Sequence, residues 1–416
     1  MATKEVSTIS AAFDGFDVEA YAAKYSGRNR LNRLLFLAKK SAALRHDAHE
    51  VLLRDLKNSI NMKLYLEVAE AAAVASEDVP ESVLNVDHAQ VESVKLSASQ
   101  QHERLEQELN SYKSTMIKES IRMGYNDLGD FYYQLGDLAA ALKSYAQARD
   151  YCTADKHIIE MCLNVVKNYS HVKSYLIKLE QVASTQSDPL LKSKISSAFG
   201  LVALHEHNYR EAAVRFTDCQ AEIGASYNDV LHAEDIALYG GMCALATFKR
   251  EELKEVIINS PSFKAFLELV PWLRELINDF YSSNYAECLQ TLEKTKPEMQ
   301  IDIYLSGHVD SLCREIRSRG MVQFFHPYLS VDLHQMAKTF NTATEDLEKE
   351  ICQLIIAGKI DARLDSYEKV LYAHTPNKRN ATYHRAFDVG RQYAAESKNL
   401  MLRMSLLKNG LVIRDT

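Results

Sequence analysis

The sequence predicts a mainly α-helical protein, in which a right-handed, tetratricopeptide-like solenoid of helix pairs leads into a winged-helix subdomain and a C-terminal helix. Three observations predict this class. Helix-forming residues are abundant, whereas the 416 residues include only 14 Gly and 7 Pro, which favours helices. A pattern of large, small and aromatic residues typical of helix pairs recurs along the middle of the chain. Residues 331–373 have the apolar periodicity of two short helices followed by a hairpin.

These patterns divide the chain into four segments. We expect an N-terminal helical arm over 1–110, helical repeats over 111–300, the winged-helix part over 301–375, and a C-terminal helix with a short tail over 376–416. Residues 1–17 lack the apolar core of a signal peptide, and no apolar run approaches the roughly 18–20 residues that span a bilayer. The seven cysteines are scattered, without a C-x-x-C pair. A reducing intracellular compartment and no zinc site are the simplest interpretation.

The N-terminal arm is predicted to contain a basic amphipathic helix. Seven Lys or Arg residues and no acidic residue occur between Lys24 and Arg45, while leucines form an apolar stripe on one face. One interpretation is a contact for an acidic partner, made by five of these cations: Arg28, Arg30, Arg33, Lys39 and Lys40. The other is a basic helix face that is simply solvated.

The segment from Tyr125 to Ala148 matches a tetratricopeptide-like signature. Gly129 and Ala141 occupy the small positions that allow two helices to approach closely, and aromatic residues fill the gaps between the helices. The turn at Gly136 is expected to separate them.

A similar pattern returns at 199–216, where Gly200 lies 71 residues after Gly129. This spacing is about two repeat lengths, so it predicts another helix pair between them, over 157–182. Further pairs are expected over 239–258 and 273–292. Because one pair cannot bury its own apolar face, consecutive pairs are expected to stack.

Residues 331–373 predict a winged helix. The first helix has an apolar stripe from Leu333 to Phe340. Thr342 and Glu345 form a capping-box pattern at the start of the second helix, and Gly358 fits the position just after its end. An exposed edge of the following hairpin could pair with a strand of another protein. The candidate interface on the wing consists of Ile360, Ala362, Leu364, Val370 and Tyr372.

Charge argues against nucleic acid as the partner of this winged helix. The second helix begins with four acidic residues and one cation: Glu345, Asp346, Glu348, Lys349 and Glu350. Binding to a phosphate backbone depends on cations that replace condensed counterions, and the whole chain has a formal charge of −7. The sequence therefore favours protein contacts.

A final helix is predicted from about residue 382 to 408. It carries an apolar stripe close to heptad spacing, interrupted at Glu396 and Ser397. The candidate interface on this helix consists of Tyr393, Leu400, Met404, Leu407 and Leu411. Two interpretations stay open: the stripe packs against helices of other chains, or the helix folds back on the solenoid.

One set of residues imitates a catalytic zinc site. His205, His207 and Asp218 reproduce the H-x-H-x10-D spacing of the JAMM metalloproteases. That motif also needs a Ser three positions before the Asp, where this chain has Arg215, and a Pro after the second His, where it has Asn208. These departures argue against a metal site. The sequence predicts a protein without catalytic residues, metal or cofactor.

Helical repeats that end in a winged helix are the arrangement of the PCI domain, the scaffold module of the proteasome lid, the COP9 signalosome and translation initiation factor 3. Six stretches resemble the subunit 1 family of the COP9 signalosome: KESIRMGYNDLGD (118–130), ARDYCT (148–153), YGGMCALATF (239–248), FLELVP (266–271), SVDLHQMA (330–337) and IDARLDS (360–366). The alternative is the paralogous PCI subunit of the proteasome lid, which shares the architecture.

The resemblance implies a non-catalytic subunit of a complex that removes the ubiquitin-like modifier Nedd8 from cullins through a JAMM zinc site on another chain. The winged helix would join those of sibling PCI subunits, and the last helix would enter a bundle shared with the other PCI and MPN subunits. The N-terminal arm would be free to touch a cullin–RING ligase as a client. The resemblance also implies a location in the nucleus and cytoplasm, no membrane partner and no cofactor.

Overall fold

A computed structural model of the chain describes residues 16–75, 88–152, 155–166, 172–183, 188–224, 227–374 and 378–410. The chain divides into two compact units, Met1–Met321 and Val322–Thr416. Among the helices of the described ranges, none is both long and apolar enough to cross a membrane. The finer division at 110, 300 and 375 stays a prediction.

The first unit is built from helices joined by turns, and its boundary at Met321 falls within the last of these helices. Their bounds are α1 (Val18–Ala23), α2 (Gly27–Lys40), α3 (Arg45–Lys57), α4 (Met62–Ala75), α5 (His88–Thr115), α6 (Lys118–Leu135), α7 (Leu138–Arg149), α8 (Asp155–Val166), α9 (Val172–Ala183), α10 (Pro189–His205), α11 (Tyr209–Thr217), α12 (Ala233–Thr247), α13 (Pro261–Leu267), α14 (Pro271–Tyr281), α15 (Tyr285–Ile301) and α16 (Val309–Phe325). A 3-10 turn (Ala221–Ile223), a short helix (Arg250–Glu252) and a π-helical stretch (Leu253–Ile258) lie between them.

Helices α1 to α4 share a leucine-rich core. Leu34, Leu37 and Leu52 are completely buried in it, because the apolar residues of α2 and α3 recur with helical spacing. Ile301, at the end of α15, belongs to the same core. The N-terminal helices are therefore packed on the later part of the first unit and share its interior.

The first predicted repeat is the pair α6 and α7. Gly136 ends α6 with a φ of +99°, a left-handed conformation that glycine adopts without strain. Asp137 then caps α7 by accepting a hydrogen bond from the backbone N–H of Ala140 at 3.0 Å. A Cβ atom added to Gly129 would lie 2.5 Å from Cε1 of Tyr145. The predicted close approach of the two helices at Gly129 is confirmed.

The second predicted repeat, α10 and α11, has the same construction. A Cβ atom on Gly200 would lie 2.8 Å from the ring of Phe216, and Asn208 caps α11. Helices α8 and α9 lie between the two repeats, as the spacing of the glycines predicts. Each helix from α5 to α12 packs against the next one along the chain, which confirms a fold of stacked helix pairs.

Replacement of Gly129 by leucine should destabilise this stack. The new side chain would overlap the buried ring of Tyr145, so we expect the free energy of unfolding to fall by about 1–3 kcal/mol. Urea denaturation followed by circular dichroism measures the change. Gly390→Leu is the matched control, since a Cβ atom there meets nothing within 4 Å. An unchanged unfolding midpoint for Gly129→Leu would contradict the close helix contact.

The second unit contains the winged helix and the C-terminal helix. Its elements are β1 (Ser330–Asp332), α17 (Leu333–Thr339), α18 (Thr344–Ile356), β2 (Ala362–Asp365), β3 (Val370–Ala373) and α19 (Lys378–Lys408). The strands form an antiparallel sheet in the order β1-β3-β2, in which Leu371 pairs with Val331 on one side and Leu364 on the other. Leu371 is fully buried, so the core of this unit lies against the sheet and its two helices.

Two details of the winged helix differ from the sequence predictions. The first strand, β1, was not predicted; it immediately precedes α17, whose N-cap Asp332 accepts from the N–H of His334 at 2.8 Å. The predicted capping box of Thr342 and Glu345 is wrong, because α18 begins at Thr344 behind Ala343, without a side-chain cap. Gly358 has a φ of +69° just after the end of α18, as predicted.

Candidate interaction surfaces

The edge strand β2 presents unpaired backbone groups. The N–H of His374, just after β3, donates to the carbonyl of Asp361 at 3.0 Å. Because hydrogen-bonded positions alternate along antiparallel strands, the backbone groups of Arg363 also face β3, whereas those of Ala362 and Leu364 face the open side. In the part of the chain that the structure describes, no further strand pairs with β2. This open edge has the geometry for the addition of a strand.

The five wing residues proposed from the sequence have different positions. Ile360 and Ala362 are buried, so their side chains are not available to a partner, and only their backbone groups could contribute to the predicted interface. Leu364 and Val370 are half-buried. Tyr372 is 44% exposed, on the face of the sheet opposite Leu371. Since β3 is the central strand, its residues can contribute side chains but no open edge.

The helix α18, which occupies the position of a recognition helix, is acidic at its start. Glu345 and Asp346 are exposed, and Lys349 lies 3.2 Å from the carboxylate of Asp346. Glu348 accepts hydrogen bonds from Ser366 and Lys369 of the wing, and these bonds lower the pKa of its carboxyl group. This distribution of charge offers no cationic surface to a phosphate backbone.

The C-terminal helix α19 exposes its apolar stripe. Its described side chains are exposed apart from Ser397 and Leu406, which are half-buried. The predicted contact residues Tyr393, Leu400, Met404 and Leu407 are between 60% and 73% exposed; Leu411 lies outside the described residues. Apolar side chains at this spacing are the kind that a partner helix covers.

The structure divides the predicted basic contact. Lys39 and Lys40 are exposed at the end of α2. Arg28 donates to the carbonyl of Tyr133 at 3.2 Å, and Arg30 pairs with Asp55 at 2.7 Å. Arg33 is only 1% exposed, so its assignment as a contact for an outside partner is wrong. Its guanidinium group instead lies in the interior of the first unit.

Arg33 is held by carboxylates from two distant segments. Its Nη2 lies 2.8 Å from Oδ2 of Asp235 in α12, and its Nη1 lies 2.6 Å from Oδ2 of Asp302, just after α15. The guanidinium also stands 4.0 Å from the centre of the Tyr25 ring. Burial alone would lower the pKa of Arg33, but the two carboxylates raise it well above its ordinary value. Tyr239 completes the cluster by donating to Asp302 at 2.6 Å.

This cluster fixes the N-terminal helices to the rest of the first unit. Tyr25 donates to Asp235 at 2.8 Å, and Asn29 donates to the carbonyl of Val230 at 3.0 Å. Lys24 and Glu234 form a further ion pair at 2.6 Å. Helix α2 and the turn before it are therefore bound to α12 and to the segment before it, so this part of the N-terminal arm belongs to the first unit, and contact of the arm with a client stays a prediction.

The residues that imitate a zinc site are far apart. His205 ends α10, whereas Asp218 follows the last residue of α11, a helix of nine residues and hence about 14 Å long. His207 contacts Tyr209, with its Nδ1 3.2 Å from the hydroxyl oxygen, and its ring centre lies 4.6 Å from that of His308. Within the described ranges, no three His, Cys, Asp or Glu residues are arranged to hold a metal ion.

The buried cysteines are poor candidates for nucleophiles. Burial raises the pKa of the Cys219, Cys243 and Cys288 thiols to about 12. A cysteine nucleophile acts as the thiolate, and at neutral pH these side chains are protonated thiols. Their positions on α12, on α15 and after α11 fit packing rather than chemistry.

Two family models match the chain. The model described as 26S proteasome subunit RPN7 matches residues 87–256, and the PCI domain model matches residues 285–375. The second match covers the winged helix.

Several full-length relatives are also similar. COP9 signalosome complex subunit 1 of Arabidopsis thaliana is 44% identical over 94% of this chain and 90% of its own length. Subunit 1b of Drosophila melanogaster is 36% identical over 96% of this chain and 86% of its own length. The 26S proteasome non-ATPase regulatory subunit 6 homolog of A. thaliana is 21% identical over 73% of this chain and 80% of its own length.

Proposed function

The chain belongs to the family of COP9 signalosome complex subunit 1, and we propose that it is a non-catalytic scaffold subunit of a COP9 signalosome. In this proposal the complex removes Nedd8 from cullin–RING ubiquitin ligases, and the zinc site that cleaves the conjugate is on another chain. The partners are the other PCI and MPN subunits, with cullin–RING ligases as clients, in the nucleus and cytoplasm.

The exposed helix α19 is the observation that carries the proposal. The apolar side chains of this 31-residue helix are exposed to water. Covering them with partner helices would favour association by about 25 cal/mol for each Å² of apolar surface buried. We propose that α19 enters a helical bundle made with the other subunits.

The winged helix supplies a second contact in this proposal. The open edge of β2 would pair with an edge of a sibling PCI subunit through the backbone groups of Ala362 and Leu364. Tyr372 and Arg363, which lie side by side on the outer face of the sheet, would provide side-chain specificity. Of the five cations predicted to contact an acidic client, Lys39 and Lys40 are the two that are exposed.

A proline on the open edge tests this arrangement. We expect Leu364→Pro to weaken recovery of the sibling PCI and MPN subunits with the tagged chain, because proline removes an outward-facing N–H. Proline is tolerated where a strand N–H faces solvent, so the purified variant should stay folded. Gentle purification followed by mass spectrometry measures the recovery.

Leu364→Ala is the control, because it shortens the side chain and keeps the N–H. Equal recovery with the proline and alanine variants would contradict edge pairing through β2. The same experiment separates the alternative function, a PCI subunit of the proteasome regulatory-particle lid. In that case lid subunits would accompany the wild-type chain.

A further inference from the structure

A small cavity with aromatic and acidic walls opens in the first unit. Its volume is about 160 Å³. Helix α1 and the starts of α12 and α14 form one side of the cavity, and the end of α15 forms the other. Its aromatic walls are Phe16, Tyr21, Tyr25 and Trp272. The rings of Phe16 and Tyr21 have centres 5.6 Å apart, and those of Tyr21 and Tyr25 are 5.4 Å apart at 63°. These rings form the walls of a cage and do not stack with one another.

The carboxylates that line the cavity outnumber the Lys and Arg side chains that pair with them. Four carboxylates line the cavity: Glu234, Asp235, Glu298 and Asp302. Lys24 neutralises the first, and Arg33 is the single cation shared by the two aspartates. Four negative charges thus face two positive ones. Glu298 forms no ion pair or hydrogen bond with any residue in the described ranges, and its side chain is exposed at the cavity.

The rings themselves are neutral. A phenol is uncharged at neutral pH even at its ordinary pKa, and burial raises the pKa of Tyr21 further, to about 12. The half-buried Trp272 makes no hydrogen bond or ring contact within the described part of the chain. Aromatic faces attract cations through their quadrupole, and tryptophan does so most strongly. The unused recognition groups of the cavity are therefore one indole ring and one carboxylate.

We propose that this cavity binds the guanidinium group of an arginine side chain presented by a partner protein. A planar guanidinium can stack on the Trp272 ring while its N–H groups donate to the Glu298 carboxylate. The volume of the cavity suits one side-chain head group. Arg33 shows the same chemistry, because its guanidinium group pairs with Asp235 and Asp302 of the cavity wall and lies over the Tyr25 ring. The proposal does not rest on the function proposed above.

The fluorescence of Trp272 reports binding directly, because it is the only tryptophan in the chain. The probe is the peptide acetyl-Gly-Arg-Gly-amide, titrated into the full-length purified chain. The matched probe contains citrulline, which has nearly the same shape as arginine and no charge. We expect a saturable change in emission with the arginine peptide and at least a roughly fivefold weaker response with the citrulline peptide.

A charge-neutral variant identifies the acidic partner. We expect Glu298→Gln to weaken binding of the arginine peptide roughly five- to tenfold. Glu103→Gln, which removes one exposed carboxylate from α5, should bind as the wild type does. Methylguanidinium serves as a third probe, for a free small cation.

Three outcomes would overturn the proposal. The first is an absence of saturable change with the arginine peptide. The second is the failure of either matched comparison, that is, equal binding of the arginine and citrulline peptides or an unchanged affinity in Glu298→Gln. The third is binding of methylguanidinium without binding of the peptide, since that result would indicate a free small cation instead of a partner's side chain.

Discussion

Replacing Arg33 with methionine should lower the free energy of unfolding by about 3–5 kcal/mol, because it leaves two buried carboxylates without their cation. Asp235 and Asp302 are 7% and 9% exposed, respectively, in their side chains. They would have to take up protons or draw water into the interior. Urea denaturation of the purified chain, followed by far-ultraviolet circular dichroism, measures the change.

Arg30→Met is the matched control for this experiment. This variant removes an arginine from the same helix and from an ion pair of similar distance, 2.7 Å. The difference is burial, since the side chains of Arg30 and Asp55 are 32% and 26% exposed. Pairs near the surface contribute about 1 kcal/mol or less. Equal losses in the two variants would contradict the role assigned to Arg33. Adding Asp235→Asn and Asp302→Asn to Arg33→Met should restore part of the stability.

The double variant Leu400→Asp with Leu407→Asp should prevent assembly and leave the isolated chain folded. Both side chains are more than half exposed on α19, so their loss does not disturb the core of the second unit. Two buried carboxylates in a helical bundle would each cost several kcal/mol. We therefore expect recovery of the chain in a large complex to fall at least about tenfold, measured by sedimentation of an extract. The melting temperature of the purified variant should be unchanged, which checks that the isolated chain is folded.

Ala395→Asp with Leu402→Asp is the control. These positions have the same seven-residue spacing and lie about half a turn round the helix from the stripe, and both are exposed. Normal assembly of the Leu400→Asp, Leu407→Asp variant would contradict a specific contact through these two residues. An equal loss of recovery in the control variant would contradict it as well.

The helix pairs could be predicted from sequence because their packing depends on local residue size. Gly129 and Gly200 each face a ring from the next helix, Tyr145 and Phe216, at less than 3 Å from an added Cβ. Only glycine fits such a position, so the pattern of small and aromatic residues persists along the chain. The register of the wing was predictable for a similar reason, since the alternation from Ile360 to Asp365 matches one buried face.

Arg33 could not be placed by its local sequence. A charge run on a helix is usually solvated, and its two carboxylates lie 202 and 269 residues away. One local signal existed: Arg33 precedes Leu37 by four residues, which places it on the stripe that is fully buried. The strand β1 has only three residues, too few for alternation to show. It forms a strand because its three residues pair with β3, which lies about 40 residues further along the chain.

The most direct test of a non-catalytic scaffold function uses a neddylated cullin and the purified chain. The proposed function predicts that the chain alone leaves the conjugate intact. Added to a signalosome assembled without this subunit, it should restore cleavage, whereas the Leu400→Asp, Leu407→Asp variant should not. Cleavage by the chain alone, or full activity of the complex without it, would contradict a subunit that acts through assembly.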